Sequence, residues 1–219
     1  MNGSDNVPTL TTEQLYNKLF EEMGPQAWWP AETPEEMIAG AILVQNTAWN
    51  NAHMALLRLK EATQFQPQSI LSLSLETLQR IIRPSGFYRN KAKALHELFS
   101  WLHMYHFDYE HIAHLFDKRL RDELLAIKGI GSETADVLMV YIFNGVEFIP
   151  DSYTRRLYHK LGYQQTASYD KLKQHITLPV NFTNQDANEF HALLDNFGKN
   201  YFNSSNSKKY NFLDEYFEQ

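Results

Sequence analysis

The stretch Leu124-Leu125-Ala126-Ile127-Lys128-Gly129-Ile130-Gly131-Ser132-Glu133-Thr134-Ala135-Asp136-Val137-Leu138 decides how the chain is read. A helix that ends at Ile127 meets Gly-Ile-Gly, and a second helix opens behind it with Ser132 placed to cap it. Glycine accepts left-handed backbone and close approach, so the two helices can be joined by a tight hairpin. The first turn of the second helix then offers N–H groups with no partner inside the helix, at the positive end of its dipole, which suits a phosphate oxygen. Contacts of that kind hold a nucleic-acid backbone without reading its sequence. Taken alone, a Gly-x-Gly reads first as an ordinary turn between two core helices.

Outward from the hairpin, apolar residues recur at helical spacing and nothing alternates like a strand. Helices are expected at Thr12–Met23, Pro34–Val44, Ala48–Leu59, Ser69–Leu73, Leu75–Ile82, Asn90–Met104, Asp117–Leu125, Ser132–Phe143, Asp151–Lys160, Tyr169–Ile176 and Asn184–Asn200. Thr12, Thr33, Ser132 and Thr183 are the expected caps, and Pro67, Pro84, Pro150 and Pro179 punctuate between helices. The fold class is all-α. Asn203–Lys209 is polar and serine-rich and reads as a loop or tail.

Composition narrows the chemistry. The 219 residues, 43% of them hydrophobic, suffice for one large domain or two small ones sharing a cleft. No cysteine is present, which excludes disulfides, thiolate zinc sites, cysteine nucleophiles and a cysteine-ligated iron–sulfur cluster. His103/His106 and His111/His114 are spaced by three without an acidic partner motif, so no metal is expected from the histidines. No apolar run approaches the roughly 20 residues that cross a bilayer, and Met1 to Pro8 is polar, so the expectation is a soluble cytoplasmic protein with no membrane contact. The formal net charge of −6 argues mildly against nucleic acid. Two basic clusters run the other way: Arg83, Arg89, Lys91 and Lys93, and then Arg155, Arg156, His159 and Lys160. Either could be a solvated helix face or a phosphate-facing one.

Downstream of the hairpin comes Asn144-Gly145-Val146-Glu147-Phe148-Ile149-Pro150-Asp151-Ser152-Tyr153-Thr154-Arg155-Arg156-Leu157, with Asp151 eighteen residues after Glu133 and placed to cap a helix. Together these segments resemble the helix-hairpin-helix signature of the endonuclease III superfamily of DNA glycosylases. The resemblance covers Pro34 to Tyr163, and more weakly reaches Lys199. It implies that Asp151 is catalytic, stabilising positive charge on the deoxyribose and activating or positioning water; a carboxylate does this best where other water is excluded. It implies that Lys128, Gly129, Ile130, Gly131 and Arg155 meet the DNA backbone. It also implies that Gln45 with Asn46, in Gln45-Asn46-Thr47, enters the space left by an extruded nucleotide, and that Phe87 with Tyr88, in Gly86-Phe87-Tyr88, wedges the opposite strand. For Phe87, core packing is the competing reading. Carbonyls of Leu125, Ile127 and Ile130 are where the family's hairpins would hold Na+ or K+, a point the residues themselves leave open.

Two departures narrow the resemblance. Bifunctional members carry a lysine where this chain has Glu133, and a carboxylate cannot form the Schiff base that cuts the strand. The four-cysteine iron–sulfur loop of endonuclease III is missing. The chain in both respects is similar to iron–sulfur-free bacterial 3-methyladenine DNA glycosylases, which implies a base pocket of Trp28, Trp29, Pro30 and Trp49, with Glu133 beside it. An electron-poor, often cationic alkylated purine favours such π-rich walls. Anchoring of an N-terminal helix is the plainer reading of the tryptophans. Lys199 is a pocket candidate by motif and an ordinary exposed lysine otherwise.

The expectation is therefore a monomeric, cofactor-free glycosylase acting on damaged double-stranded DNA. It would be built as a six-helix lobe over residues 35–147 and a second lobe from 1–34 plus 148–219, with Asp151 in the cleft. Another base specificity, or a non-catalytic DNA-binding protein, stays open at this stage.

Overall fold

The computed structural model describes residues 9–26, 31–203 and 210–217, and among these residues all regular structure is helical. In chain order the helices are α1 (Thr12–Met23), α2 (Pro34–Leu43), α3 (Trp49–Thr63), α4 (Pro67–Ser72), α5 (Leu75–Ile81) and α6 (Tyr88–His103). They continue with α7 (Tyr109–Phe116), α8 (Leu120–Ala126), α9 (Ser132–Tyr141), α10 (Ser152–Lys160), α11 (Tyr169–His175) and α12 (Asn184–Asn203). The chain forms two compact units, one from Met1–Trp29 with Val146–Gln219 and one from Pro30–Gly145.

The Pro30–Gly145 unit is organised on α2. Every residue from Met37 to Leu43 is buried, as a helix apolar all round requires. Pro34 opens the helix, Thr33 Oγ1 accepts from the Glu36 N–H at 3.1 Å, and Glu35 and Glu36 sit at its positive end. Around α2 pack α3, α6 and α9, with α4 and α5 on α6 and α8 on α9.

The hairpin joins α8 to α9, and Ile130 N–H closes its turn on the Ile127 carbonyl at 3.1 Å. Both glycine requirements fall on Gly129. Its φ is +95°, and a Cβ there would stand 2.7 Å from the Ala94 Cβ of α6. Gly131, with an open surround, is the residue that caps α9; Ser132 is the first helical residue and no side chain caps the helix. The expected Ser132 cap is thus displaced by one, which leaves the hairpin end of α9 free of a competing side-chain acceptor. Across the hairpin, Arg121 reaches the fully buried Asp136 with Nε to Oδ1 at 2.7 Å and Nη2 to Oδ2 at 3.3 Å. This two-pronged, charge-assisted contact fixes α8 against α9.

Some expected boundaries move. Thr11, not Thr12, caps α1, because the capping box needs Gln14 three residues on: Thr11 Oγ1 accepts from Gln14 N–H and Gln14 Oε1 from Thr11 N–H. Helix α7 was not expected. Asp108 Oδ1 caps it at the His111 N–H, 2.9 Å, and Asp117 stops it with φ +46°. Asp117 therefore lies in a separate 3-10 turn, Asp117–Arg119, instead of opening the next α-helix.

In the other unit α12 is the axis. Phe190, Leu193, Leu194, Phe197 and Tyr201 share a buried cluster with Leu15 and Leu19 of α1 and with Leu157 and Tyr158 of α10. The segment 210–217 lies along this cluster: Tyr210 and Phe212 contact Phe197, and Phe217 contacts Tyr201 at 5.3 Å. Thr9 ties the chain's beginning to both, its N–H to the Leu161 carbonyl at 3.1 Å and its Oγ1 to the Tyr216 carbonyl at 2.5 Å. Two cations of the second basic cluster cover aromatic rings here, Arg156 over Phe202 at 4.0 Å and Lys160 over Phe217 at 5.2 Å.

Gly129→Ala is expected to destabilise the chain by more than ~1 kcal/mol, since it adds left-handed strain to a collision with Ala94. Urea denaturation of G129A, A94G and the double variant should show favourable coupling, because A94G removes the collision and leaves the strain. Purely additive losses would contradict the contact.

Candidate active site

Asp151 is the N-cap of α10. Its Oδ1 accepts from the Thr154 N–H at 2.7 Å, its backbone is extended, and it is half-buried. The cap uses Oδ1, and Oδ2 takes no part in it. What places this cap is the approach of α10 to α12 at Gly198, where a Cβ would overlap the Cβ of Tyr153 and lie 2.8 Å from its Cγ. Only a residue without a side chain lets the first turn of α10 lie so close.

The face of α12 around Gly198 carries a set of ionisable groups at helical spacing, His191, Asp195 and Lys199. His191 and Asp195 are buried, while the Lys199 side chain is 44% exposed and its ammonium lies 2.5 Å from Asp195 Oδ2. Burial lowers the His191 imidazole to about 4, opposed by the negative charge of Asp151 and assisted by Lys199. Burial pushes the Asp195 carboxyl up to about 6, against the pull of Lys199 and with the help of Asp151. A neutral imidazole and an Asp195–Lys199 ion pair, whose ammonium offsets the second carboxylate, thus interact with Asp151. His191 and Asp195 are the residues that motif reading passed over. Their signal was present: two polar residues four apart on the face that Phe190, Leu194 and Phe197 mark as inward.

The remaining candidates are placed as follows. Trp28, Trp29 and Pro30 lie outside the described residues. Trp49 opens α3, is 41% exposed and stacks its ring on His53. Gln45 and Asn46 occupy the turn after α2, with Gln45 Nε2 donating to the Ala41 carbonyl at 3.2 Å and Asn46 at φ +52°. Phe87 caps α6 at φ +45° and is 67% exposed, which removes core packing as its explanation; Tyr88 beside it lies under Arg83. Lys128, Gly129 and Gly131 are exposed on the hairpin and Ile130 is buried, while Glu133 sits half-buried in the first turn of α9. Arg155 points along its own unit, with Nη1 donating to the Ala167 carbonyl at 3.3 Å. Of the three carbonyls considered for a monovalent cation, that of Ile127 already accepts the turn hydrogen bond. Among the described residues no group of three or more His, Asp or Glu side chains could hold a metal ion, and no helix is long and apolar enough to cross a membrane. Lys91 is corrected outright: it leaves the basic cluster and is buried in the core.

A helical fold with a glycine hairpin, followed after a short loop by a helix capped with an aspartate, defines the class of base-excision DNA glycosylases. The chain belongs to the HhH-GPD superfamily of base excision DNA repair proteins, whose profile matches residues 39–181. A Methanocaldococcus jannaschii protein described as a DNA repair glycosylase is 37% identical over 185 residues, covering 83% of this chain and 84% of its own. The crystal structure of the Helicobacter pylori 3-methyladenine DNA glycosylase bound to 1,N6-ethenoadenine superposes with a TM-score of 0.71 at 27% identity, covering 87% of this chain and 98% of that one. A trapped endonuclease III–DNA covalent intermediate superposes at 0.72 over 91% of each chain, a likeness of fold at 22% identity.

Two predictions follow from α12. Gly198→Ala should push α10 off α12 and cut base excision more than tenfold with a smaller loss of DNA retention, read by single-turnover kinetics beside gel retention. For Asp195, whose folded value is raised, the stabilising contribution is full below its ordinary 3.8 and is lost as pH rises through about 6. His191 acts oppositely, its contribution present above 6.5 and lost as pH falls through about 4. Asp195→Asn removes only the first of these, so the melting temperature of D195N relative to wild type should climb between pH 4 and pH 6; a flat difference would show that burial does not disfavour this carboxylate.

Proposed function

We propose that this DNA glycosylase is monofunctional and releases an extruded alkylated purine, 3-methyladenine being the representative substrate, from double-stranded DNA. The observation that carries this reading is the placement of Asp151, a half-buried carboxylate with one oxygen held by the helix it caps and set among His191, Asp195 and Lys199. As the C1′–N bond breaks, its electron pair leaves with the base and the sugar becomes cationic. A nearby carboxylate lowers that barrier, and it takes the proton of the water whose oxygen then bonds to C1′. The product is an abasic site.

The strand-cutting alternative needs an amine that attacks C1′. Position 133 supplies a glutamate, and the Lys199 ammonium is paired with Asp195. The 3-methyladenine relative, with an ethenoadenine in its structure, and the electron-rich ring of Trp49 on α3 support an alkylated purine. In this reading Gln45 and Phe87 engage the opened duplex and Lys128 to Gly131 hold a phosphate.

A lesion panel with and without alkali tests the reading. Duplexes carrying 3-methyladenine, 1,N6-ethenoadenine, thymine glycol, mismatched thymine, or adenine opposite 8-oxoguanine should release the alkylated purines, with strand breaks only after alkali. Release of a different base, or breaks without alkali, overturns the corresponding half. Asp151→Asn should lower release by roughly 10²-fold or more while leaving abasic-DNA binding largely intact; unchanged release would remove Asp151 from the chemistry.

A further inference from the structure

Lys91 lies on α6, one turn in, with 6% of its surface exposed. Its ammonium donates to the carbonyl of Leu43 at 2.8 Å and to that of Ser85 at 2.7 Å. Leu43 is the last residue of α2, and the turn bearing Gln45 and Asn46 begins directly after it. Ser85 ends the 3-10 turn Arg83–Ser85, and Gly86 and Phe87 follow directly. The two accepting carbonyls are therefore 42 residues apart in sequence, and each sits at the root of one of the two turns that project Gln45 and Phe87.

Burying an ammonium is unfavourable, and here burial lowers it to about 8. The core of this unit could fill the space with an apolar side chain. A lysine is useful because its head bridges two helix-terminal carbonyls that have no partner of their own, where positive charge also suits the negative helix end. Both turns carry non-glycine residues in left-handed conformation, Asn46 at φ +52° and Phe87 at φ +45°, and Phe87 is exposed. Such backbone persists only where the surroundings over-determine it. Ala94, one turn further along α6, is the residue that Gly129 of the hairpin packs against. One helix thus sets the register of all three turns.

We propose that Lys91 is a positioning residue that couples the Gln45 turn and the Phe87 turn, so that plug and wedge enter an opened duplex as one rigid pair. The assignment rests on the reading of these two turns as DNA-opening elements. It predicts that losing the bridge damages opening of the stack rather than attachment to the backbone or chemistry at the sugar.

The probe is a duplex with a tetrahydrofuran abasic analogue flanked by 2-aminopurine, whose fluorescence rises when its stack is disrupted. Lys91→Met fills the same volume without the bridge. K91M should melt cooperatively, retain the duplex within about twofold across a salt series, since phosphate contacts set that dependence, and show at most a fifth of the wild-type fluorescence rise. F87A and Q45A should each reduce the rise, and either one added to K91M should change little further, as coupled positions do. Lys91→Arg keeps charge and donors, should restore part of the rise, and is the variant read if K91M does not fold. A full rise in K91M alongside a loss in F87A overturns the role of Lys91 alone. Loss of retention together with the rise reduces Lys91 to a folding residue. An unchanged rise in both F87A and Q45A overturns instead the reading of the two turns.

Discussion

The closeness of α10 and α12 at Gly198 is the constraint on which the surroundings of Asp151 depend. A helix N-cap is a common feature and by itself does nothing chemical. At this contact it becomes specific, because the first turn of α10 lies against the face of α12 that carries His191, Asp195 and Lys199. Asp151 then has two demands met by one geometry. Its Oδ1 satisfies a helix N–H that would otherwise be orphaned, and its charge interacts with a His191 that burial holds neutral and with an Asp195 whose charge Lys199 offsets.

Three of the buried ionisable side chains among the described residues sit where the chain must hold a turn or a charge. Asp136 receives Arg121 across the hairpin, Lys91 bridges the roots of two exposed turns, and Asp195 receives Lys199 beside Asp151. Each of these groups is costly to bury, and each is offset by charge-assisted contacts that also define one geometry and exclude neighbouring ones. The precision of the hairpin and of the two turns comes from inside, from side chains buried beneath them.

Much of this was legible before any coordinates. The all-helical class followed from the period of the apolar residues, and the hairpin from Gly129 and Gly131. The N-cap place of Asp151 followed from its position directly before a helix. What escaped did so for identifiable reasons. Helix α7 is a short element whose start depends on the Asp108 cap and whose end depends on the left-handed Asp117, both local choices of backbone that periodicity does not register. Lys91 read as one more cation in a basic run, because sequence gives no sign that a lysine's head will be turned inward to two distant carbonyls. His191 and Asp195 lay on an inward face, yet ionisable residues there are uncommon enough that their apolar neighbours dominated the reading. Arg156 and Lys160 read as a solvated or a phosphate-facing helix face, and neither reading anticipated their aromatic partners in α12 and in the segment 210–217.

The seam between the two ends of the chain has a consequence for how the molecule is made. Thr9 bonds to Leu161 and Tyr216, and α1 shares its core with α12, so the unit that bears Asp151 is assembled from segments on both sides of the Pro30–Gly145 unit. On a ribosome the Pro30–Gly145 unit is synthesised whole and can fold as soon as it emerges. Helix α1 emerges first but must wait, its apolar face uncovered, until more than a hundred further residues have been added. Closing so long a loop is a non-local step that comes after the helices it joins have been made. The hairpin and the two turns joined by Lys91 can thus be in place on a nascent chain before Asp151 acquires its neighbours on α12.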